Sequence, residues 1–303
     1  MEIKKVMLIG LGAIGCVYSK LIMENSGCEF YVIADGKRAE NIAGNGFSVN
    51  GRKYIPNVIT PKEKNIKADL IIFTVKNYQL NQAIKDISGL VYDKTVLITL
   101  LNGISARDEI KSAFPNNTVL YGVALEIDAV RNDRDVINSN DGIIEFGEAD
   151  NTVLTEEVRA VKNLFDNSSI RNNVPKDMMR SLWRKWMINV GANQISAVAG
   201  ITDPKFISIP EMNKALHTVM REVIKVAESC NINIDEKDIS DYDEVLRNTK
   251  MESKTSMLQD IEAGRKTEVD YFAGKVIEYG KRAGVATPYN ELLYMLIKGM
   301  EKK

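Results

Sequence analysis

Short apolar runs alternate with stretches of helical spacing through the first half of the chain. Val6 to Ile9, Phe30 to Ala34, Asp69 to Val75, Thr95 to Leu101, Val119 to Leu125 and Gly142 to Phe146 are short, rich in β-branched residues and bounded by turn formers. That pattern predicts strands. Between several of them, Cys16 to Asn25, Gln79 to Ile87 and Ile104 to Phe114 are compatible with helices. Strand and helix in alternation predict a doubly wound α/β sheet. The polar stretch Asn132 to Asp141 reads as a hairpin or a loop, and periodicity leaves the order of the last strands open.

From Pro175 onward the pattern changes. Apolar residues recur at three and four, as in Met178, Leu182, Trp186 and Val190, or Leu216, Val219, Met220, Val223, Ile224 and Ala227. These are faces of amphipathic helices. Thr267-Glu268-Val269-Asp270 has the form of a capping box, and the helix it predicts runs to about Ala283, with Gly284 and Pro288 as stop signals. The expected architecture is α/β, an N-terminal Rossmann-type doubly wound sheet over residues 1–175 followed by an all-helical C-terminal domain over 176–303. In such a pair the cleft at the carboxyl ends of the strands is the expected substrate site.

The first strand runs straight into Gly10-Leu11-Gly12-Ala13-Ile14-Gly15 and then a helix. The first glycine allows a tight turn, the second lets backbone approach a pyrophosphate, and the third lets helix and strand pack closely. The second strand ends at Asp35, twenty residues after Gly15, where a dinucleotide fingerprint places an acid for the adenosine ribose. The plainer alternative is a glycine-rich turn that binds no nucleotide.

Composition narrows the functional classes. The chain of 303 residues is 45% hydrophobic, enough for a large core, and its length predicts two domains. Its 40 basic and 41 acidic residues supply no basic stripe for nucleic acid or a membrane surface. No apolar run reaches the length of a membrane span and no signal-type segment opens the sequence, so the expectation is a cytoplasmic protein. Cys16, Cys28 and Cys230 are scattered and form no CxxC pair, which argues against a disulfide framework and against a metal site.

If a nicotinamide reduces a ketone here, some group must protonate the developing alkoxide. The lone histidine, His217, lies in an amphipathic stretch with no acid following to orient it, and it reads as a packed or surface residue. Lys185 is the better candidate. In Leu182-Trp183-Arg184-Lys185-Trp186-Met187-Ile188-Asn189 it shares a helix face with Asn189, and the flanking tryptophans and Met187 can cover its stem. An ammonium beside an amide can hold an oxyanion. Residue type alone still leaves an ordinary solvated lysine open.

Gly10 to Gly15, Val75-Lys76-Asn77-Tyr78-Gln79, Leu101-Asn102-Gly103, Leu182 to Asn189 and the segment Ser256 to Tyr271 together resemble the ketopantoate reductase (2-dehydropantoate 2-reductase) family over nearly the whole chain. The SMLQD…TEVD segment, about seventy residues after WRK…N, is far more specific than the glycine motif. The resemblance implies NAD(P)H-dependent reduction of 2-dehydropantoate to D-pantoate, on the route to pantothenate and coenzyme A. It implies Lys185 as general acid and Glu268 as the acid that meets the far hydroxyl of the substrate and lies near the lysine. It further implies substrate positions at Asn102, Asn189 and Ser256, and cofactor positions at Gly10, Leu11, Gly12, Ala13, Ile14, Gly15, Asp35, Lys76 and Asn102.

One residue departs from the family pattern. Many members carry an arginine just after the second strand for the 2′-phosphate of NADPH, and this chain has Asp35. A carboxylate accepts from a 2′-hydroxyl and repels a phosphate, so Asp35 favours NADH while the resemblance favours NADPH, with Lys37 and Arg38 close by. Two further functions stay open. One is an NAD-dependent D-2-hydroxyacid dehydrogenase for branched or aromatic 2-oxo acids, and the other a non-catalytic cofactor-binding sensor. The expected partner is a small 2-oxo acid, and the apolar helical half leaves a homodimer open.

Overall fold

The computed structural model describes residues 1–63, 65–249 and 252–302. The chain divides into two compact units, Met1–Ser181 and Leu182–Lys303. In the first, strands β1 (Lys5–Ile9), β2 (Glu29–Ile33), β3 (Phe47–Val49), β4 (Arg52–Tyr54), β5 (Asn57–Ile59), β6 (Leu70–Phe73), β7 (Val96–Thr99), β8 (Val119–Leu125), β9 (Val130–Asn132), β10 (Asp135–Ile137), β11 (Ile143–Gly147) and β12 (Asn172–Asn173) alternate with helices α1 (Ala13–Asn25), α2 (Gly36–Asn45), α3 (Leu80–Ile87), α4 (Ala106–Ala113) and α5 (Glu156–Asn167). The main sheet has the order β12-β11-β8-β7-β6-β1-β2-β5. Its pairs are parallel except β11 against β8.

Alternation of side chains along β1 explains why this sheet is buried on both faces. Val6 and Leu8 join one apolar cluster with Cys16, Val17 and Phe165, while Met7 and Ile9 join the other with Leu80, Ile87 and Ile110. The chain passes from β1 to β2 on one side and later to β6 on the other. The glycine turn after β1 therefore stands at the topological switch point, where doubly wound sheets bind their ligands.

Between Asn132 and Asp141 the chain adopts the hairpin alternative, as β9 pairs with β10. A second, four-stranded sheet of order β4-β3-β10-β9 joins it to β3 and β4. These strands are too short and polar for periodicity to reveal them.

Helices α6 (Met178–Ala199), α7 (Lys205–Ser208), α8 (Pro210–Ser229), α9 (Glu236–Asn248), α10 (Ser256–Glu262), α11 (Ala273–Ala283) and α12 (Pro288–Met300) follow, and no strand occurs among the described residues after α6 begins. The observed fold is thus the α/β sheet domain plus helical domain expected from the pattern. We keep a functional division at residues 175/176 as a proposal, because α6, which carries Lys185, starts at Met178.

The expected capping box at Thr267 does not form. The Thr267 hydroxyl donates to Glu301 at 2.6 Å, its backbone N–H donates to the same carboxylate, and a 3₁₀ turn occupies Val269–Tyr271. The long helix begins only at Ala273, and it ends at Gly284 in the left-handed conformation (φ 71°), as its stop signal predicts. Pro288 acts as the first residue of α12.

Candidate active site

The glycine turn of the first unit is built for close approach. A Cβ on Gly10 would stand 2.5 Å from the Val75 nitrogen, and one on Gly15 would stand 2.4 Å from the Gly10 oxygen. The Thr74 hydroxyl donates to the Gly10 carbonyl at 2.7 Å and holds the turn closed. Gly12 is different. Its φ of −89° suits any residue, and a Cβ there would meet nothing nearer than 4.0 Å. No protein neighbour demands a glycine at 12, whereas a pyrophosphate approaching the bare backbone and the N-terminal N–H groups of α1 does. The residues present therefore fit a dinucleotide, with Leu11, Ala13 and Ile14 completing the turn between the glycines.

Asp35 caps α2, and its side chain accepts from the Gly36 N–H at 2.8 Å. It lies at the end of β2, where the fingerprint expects it, but the cap gives it a local structural task as well. Lys76 and Asn102 are brought together through Asn77, whose side-chain amide donates to the Asn102 carbonyl at 2.6 Å. They follow β6 and β7, which pair next to β1 in the sheet, so both stand at the carboxyl ends of the strands beyond the switch point.

The second unit holds the remaining candidates. Lys185, Asn189 and Asn193 recur every four residues along α6 and make one polar strip on a helix whose buried residues are mostly apolar. Asn193 is the member that periodicity did not single out. Its Nδ2 donates to Asn189 Oδ1 at 3.3 Å, and its Oδ1 accepts from the Ser256 hydroxyl at 3.0 Å and from the Met257 N–H at 3.2 Å. One buried amide thus ties α6 to the N-terminus of α10 and joins Asn189 to Ser256. A readable signal was present in the repeat Lys185-x₃-Asn189-x₃-Asn193.

Around Lys185, Trp183, Trp186 and Met187 are buried, and the two indoles meet edge to face with centroids 5.2 Å apart. Trp186 Nε1 donates to the Tyr271 carbonyl at 3.0 Å, which fixes α6 against the segment that carries Glu268. Burial pushes the Lys185 ammonium below its ordinary pKa, Asp203 opposes that shift, and Arg184 adds to it. The charge that most favours the ammonium is therefore Asp203, a residue outside the motifs. Asp203 follows α6, and both its backbone N–H and its carboxylate are bound by Ser253. Burial raises the Asp203 pKa, while Ser253 and Lys185 pull it down.

Glu268 is buried immediately before the 3₁₀ turn, and its carbonyl accepts from the Tyr271 N–H at 2.9 Å. His217 is a packed residue as expected, but it does have an acidic partner. Its Nε2 lies 3.0 Å from Asp243 Oδ1 across the α8–α9 contact, and Asn213 and Arg247 meet the same carboxylate. The partner comes from another helix, so local sequence could not show it.

The three cysteines are free. No cluster of three metal-ligating side chains occurs among the described residues, and none of their helices is long and apolar enough to cross a membrane.

The family model described as Ketopantoate reductase PanE/ApbA matches residues 6–151, and the corresponding C-terminal model matches residues 177–301. This chain belongs to the ketopantoate reductase family. The 2-dehydropantoate 2-reductase of Pyrococcus horikoshii is 27% identical over 98% of this chain and 97% of its own length. That of Archaeoglobus fulgidus is 26% identical over 99% of both chains. Among solved structures, a D-mandelate dehydrogenase with NADH and anilino(oxo)acetate has a TM-score of 0.89 at 26% identity and covers 98% of each chain. The 2-dehydropantoate 2-reductase of Geobacter metallireducens has a TM-score of 0.87 at 25% identity, covering 97% of this chain and 99% of its own. A nicotinamide dinucleotide is the cofactor type of this group, and the glycine turn fits it.

Proposed function

We propose that this protein reduces 2-dehydropantoate to D-pantoate with a nicotinamide dinucleotide. The observation that carries the reading is the polar strip Lys185, Asn189 and Asn193, closed by Ser256, inside a helical unit whose other α6 side chains are largely apolar. The bound cofactor supplies a hydride to the C2 carbonyl carbon. Lys185, as the ammonium, polarises the ketone oxygen and then donates its proton to it, so hydride and proton together give the C2 hydroxyl. Asn189 and Ser256 are suited to the carboxylate and hydroxyl groups of the substrate. Glu268 would accept a hydrogen bond from the terminal hydroxyl. Asp203 favours the proton on Lys185 and so opposes the larger effect of burial.

A second reading has its own observation. The structural likeness to an NADH-bound D-mandelate dehydrogenase, together with Asp35 at the end of β2, favours a D-2-hydroxyacid dehydrogenase for branched or aromatic 2-oxo acids. Glu268 discriminates the two. A carboxylate that accepts from the terminal hydroxyl of ketopantoate loses that hydrogen bond with 2-oxoisovalerate, at a cost of about 1–3 kcal/mol, so ketopantoate should win by roughly tenfold to a hundredfold in kcat/KM. Initial rates with NADH and NADPH, crossed against 2-dehydropantoate, 2-oxoisovalerate and phenylglyoxylate, test this. Equal or higher efficiency with either simpler acid would transfer the assignment to the second reading.

A further inference from the structure

Glu268 sits between two residues that are held by one distant helix. Before it, the buried Thr267 donates to the Glu301 carboxylate from its N–H at 2.9 Å and from its hydroxyl at 2.6 Å. The same hydroxyl accepts from the Val269 N–H at 3.3 Å, so it bridges across Glu268. After it, Asp270 accepts from the Tyr294 hydroxyl at 2.8 Å and from the Lys298 ammonium at 3.3 Å. Tyr294, Lys298 and Glu301 follow one another at four and three residues, so they share a face at the end of α12. Lys298 also pairs with Glu301 at 3.0 Å and closes the circuit.

The other anchors of this segment come from the helices that carry candidate substrate groups. From α6, Trp186 reaches the Tyr271 carbonyl, and on the α10 side Arg265 donates from Nε at 2.9 Å to the buried carboxylate of Asp260 and from its N–H at 2.8 Å to the Asp260 carbonyl. Helix α12 carries none of the candidate substrate residues, yet it supplies bonds on both sides of Glu268. Burial works against the Glu301 charge, but its Thr267 and Lys298 donors outweigh that and hold its carboxyl below the ordinary value. It therefore stays an ionised acceptor for Thr267 at neutral pH. A hydrogen bond weakens steeply with misalignment, and Glu268 lies on a short 3₁₀ turn whose place is set by its anchors.

We propose that Glu301, with Tyr294 and Lys298 acting on Asp270, positions the Glu268 carboxylate and so sets the preference for an oxo acid that carries a terminal hydroxyl. The inference rests on the reading of Glu268 given under Proposed function. These are positioning residues, and they act through the backbone from Thr267 to Asp270. Their loss is felt by the substrate group that meets Glu268, while the ketone and carboxylate ends of the substrate answer to the α6 and α10 residues.

The test is steady-state kinetics of the full chain at saturating cofactor, on 2-dehydropantoate and on 3,3-dimethyl-2-oxobutanoate, which differs from it only by the missing hydroxyl. Glu301→Ala should raise KM for 2-dehydropantoate and cut the ratio of the two kcat/KM values at least about fivefold, with efficiency on the hydroxyl-free acid within about twofold of wild type. Glu301→Gln keeps an acceptor for Thr267 and loses the ion pair, so it should fall between. Tyr294→Phe removes one donor to Asp270 and should move the ratio the same way. In a Glu268→Gln background, Glu301→Ala should shift the ratio by no more than about twofold, because residues that act through one carboxylate are not additive. Circular dichroism checks each fold, and if the alanine variant does not fold, Glu301→Gln and Tyr294→Phe decide. Folded variants that keep the wild-type ratio, or that lose both substrates equally, would overturn the proposal, as would a full further loss in the Glu268→Gln background. A wild type that does not distinguish the two acids would instead overturn the ketopantoate reading of Glu268, and this inference with it.

Discussion

As the proposed general acid, Lys185 would work only while it carries a proton, and two opposed effects act on that proton. Burial destabilises the ammonium and Asp203 stabilises it, with burial the larger. Turnover is therefore expected to fall as pH rises through the Lys185 pKa, and the descent should begin below the ordinary lysine value of about 10.4. Arg184 and Asp203 are the charges that act on it, and Tyr242 lies near enough for Asp203 to raise its own pKa. Asp203→Asn removes the charge that favours the ammonium, so the basic limb of kcat should move to lower pH, with ketopantoate affinity at acidic pH little changed. A kcat profile superimposable on wild type would deny Asp203 that role. Lys185→Ala should leave cofactor affinity intact while turnover falls by about two to four orders of magnitude, the usual worth of a positioned general acid. Retention of more than about a tenth of the rate would exclude Lys185 as the acid. Lys185 and Asn189 could be found in the sequence because both lie on one helix face. Asp203 could not, since it reaches the lysine only after the chain turns back beyond α6.

At the scale of elements, helix ends carry much of the specificity in the helical unit. Glu222, buried on α8, accepts from the Tyr289 N–H at 2.9 Å, the Asn290 N–H at 3.0 Å and the Asn290 side-chain amide at 2.7 Å. A carboxylate from one helix thus satisfies the first N–H groups of another, where the dipole favours negative charge. Glu222→Ala would strand several buried donors at about 1–3 kcal/mol each, and Glu222→Gln, which keeps one acceptor, should lose less. Urea unfolding measures both. A loss below about 1 kcal/mol for the alanine variant would mean that the end of α12 finds other partners. Asn193 plays the corresponding part for α10, so Asn193→Ala should raise KM for the oxo acid more than it lowers kcat, because it frees Ser256 and Asn189 without touching Lys185. Equal KM in the two proteins would show that α10 holds Ser256 unaided. The misread capping box belongs to the same theme. Thr267 followed by Glu268 and Asp270 looks like a local helix start, yet Glu301, more than thirty residues away, captures the threonine and delays the helix to Ala273. Local chemistry offers a cap, and tertiary structure decides which residue takes it.

For the whole molecule, the pattern of the chain revealed the two architectures because each has its own period. Runs such as Val6 to Ile9 are apolar throughout because both sheet faces are buried, and the helices after Pro175 show the three-and-four repeat of one-sided burial. The small sheet of β3, β4, β9 and β10 has neither signature, and the contact it makes with the glycine turn, from Arg131 in β9 to the Leu11 carbonyl, stayed hidden with it. The division of labour that follows can be tested by hydrogen exchange with the full chain. The cofactor alone should protect the N–H groups from Gly12 to Cys16 and the start of α2, since the proposed dinucleotide donors and ribose site belong to the first unit. At a hundredfold excess over Kd, linkage predicts stabilisation of about 2.7 kcal/mol, or roughly a hundredfold slower exchange wherever exchange needs global opening of that unit. Addition of the oxo acid should then protect Ser256 to Gln259 in α10, whose first N–H groups are held by Asn193 and by the Thr255 cap. Protection of α10 by cofactor alone, undiminished in Asn193→Ala, would contradict the assignment of substrate binding to the Asn189, Asn193 and Ser256 set.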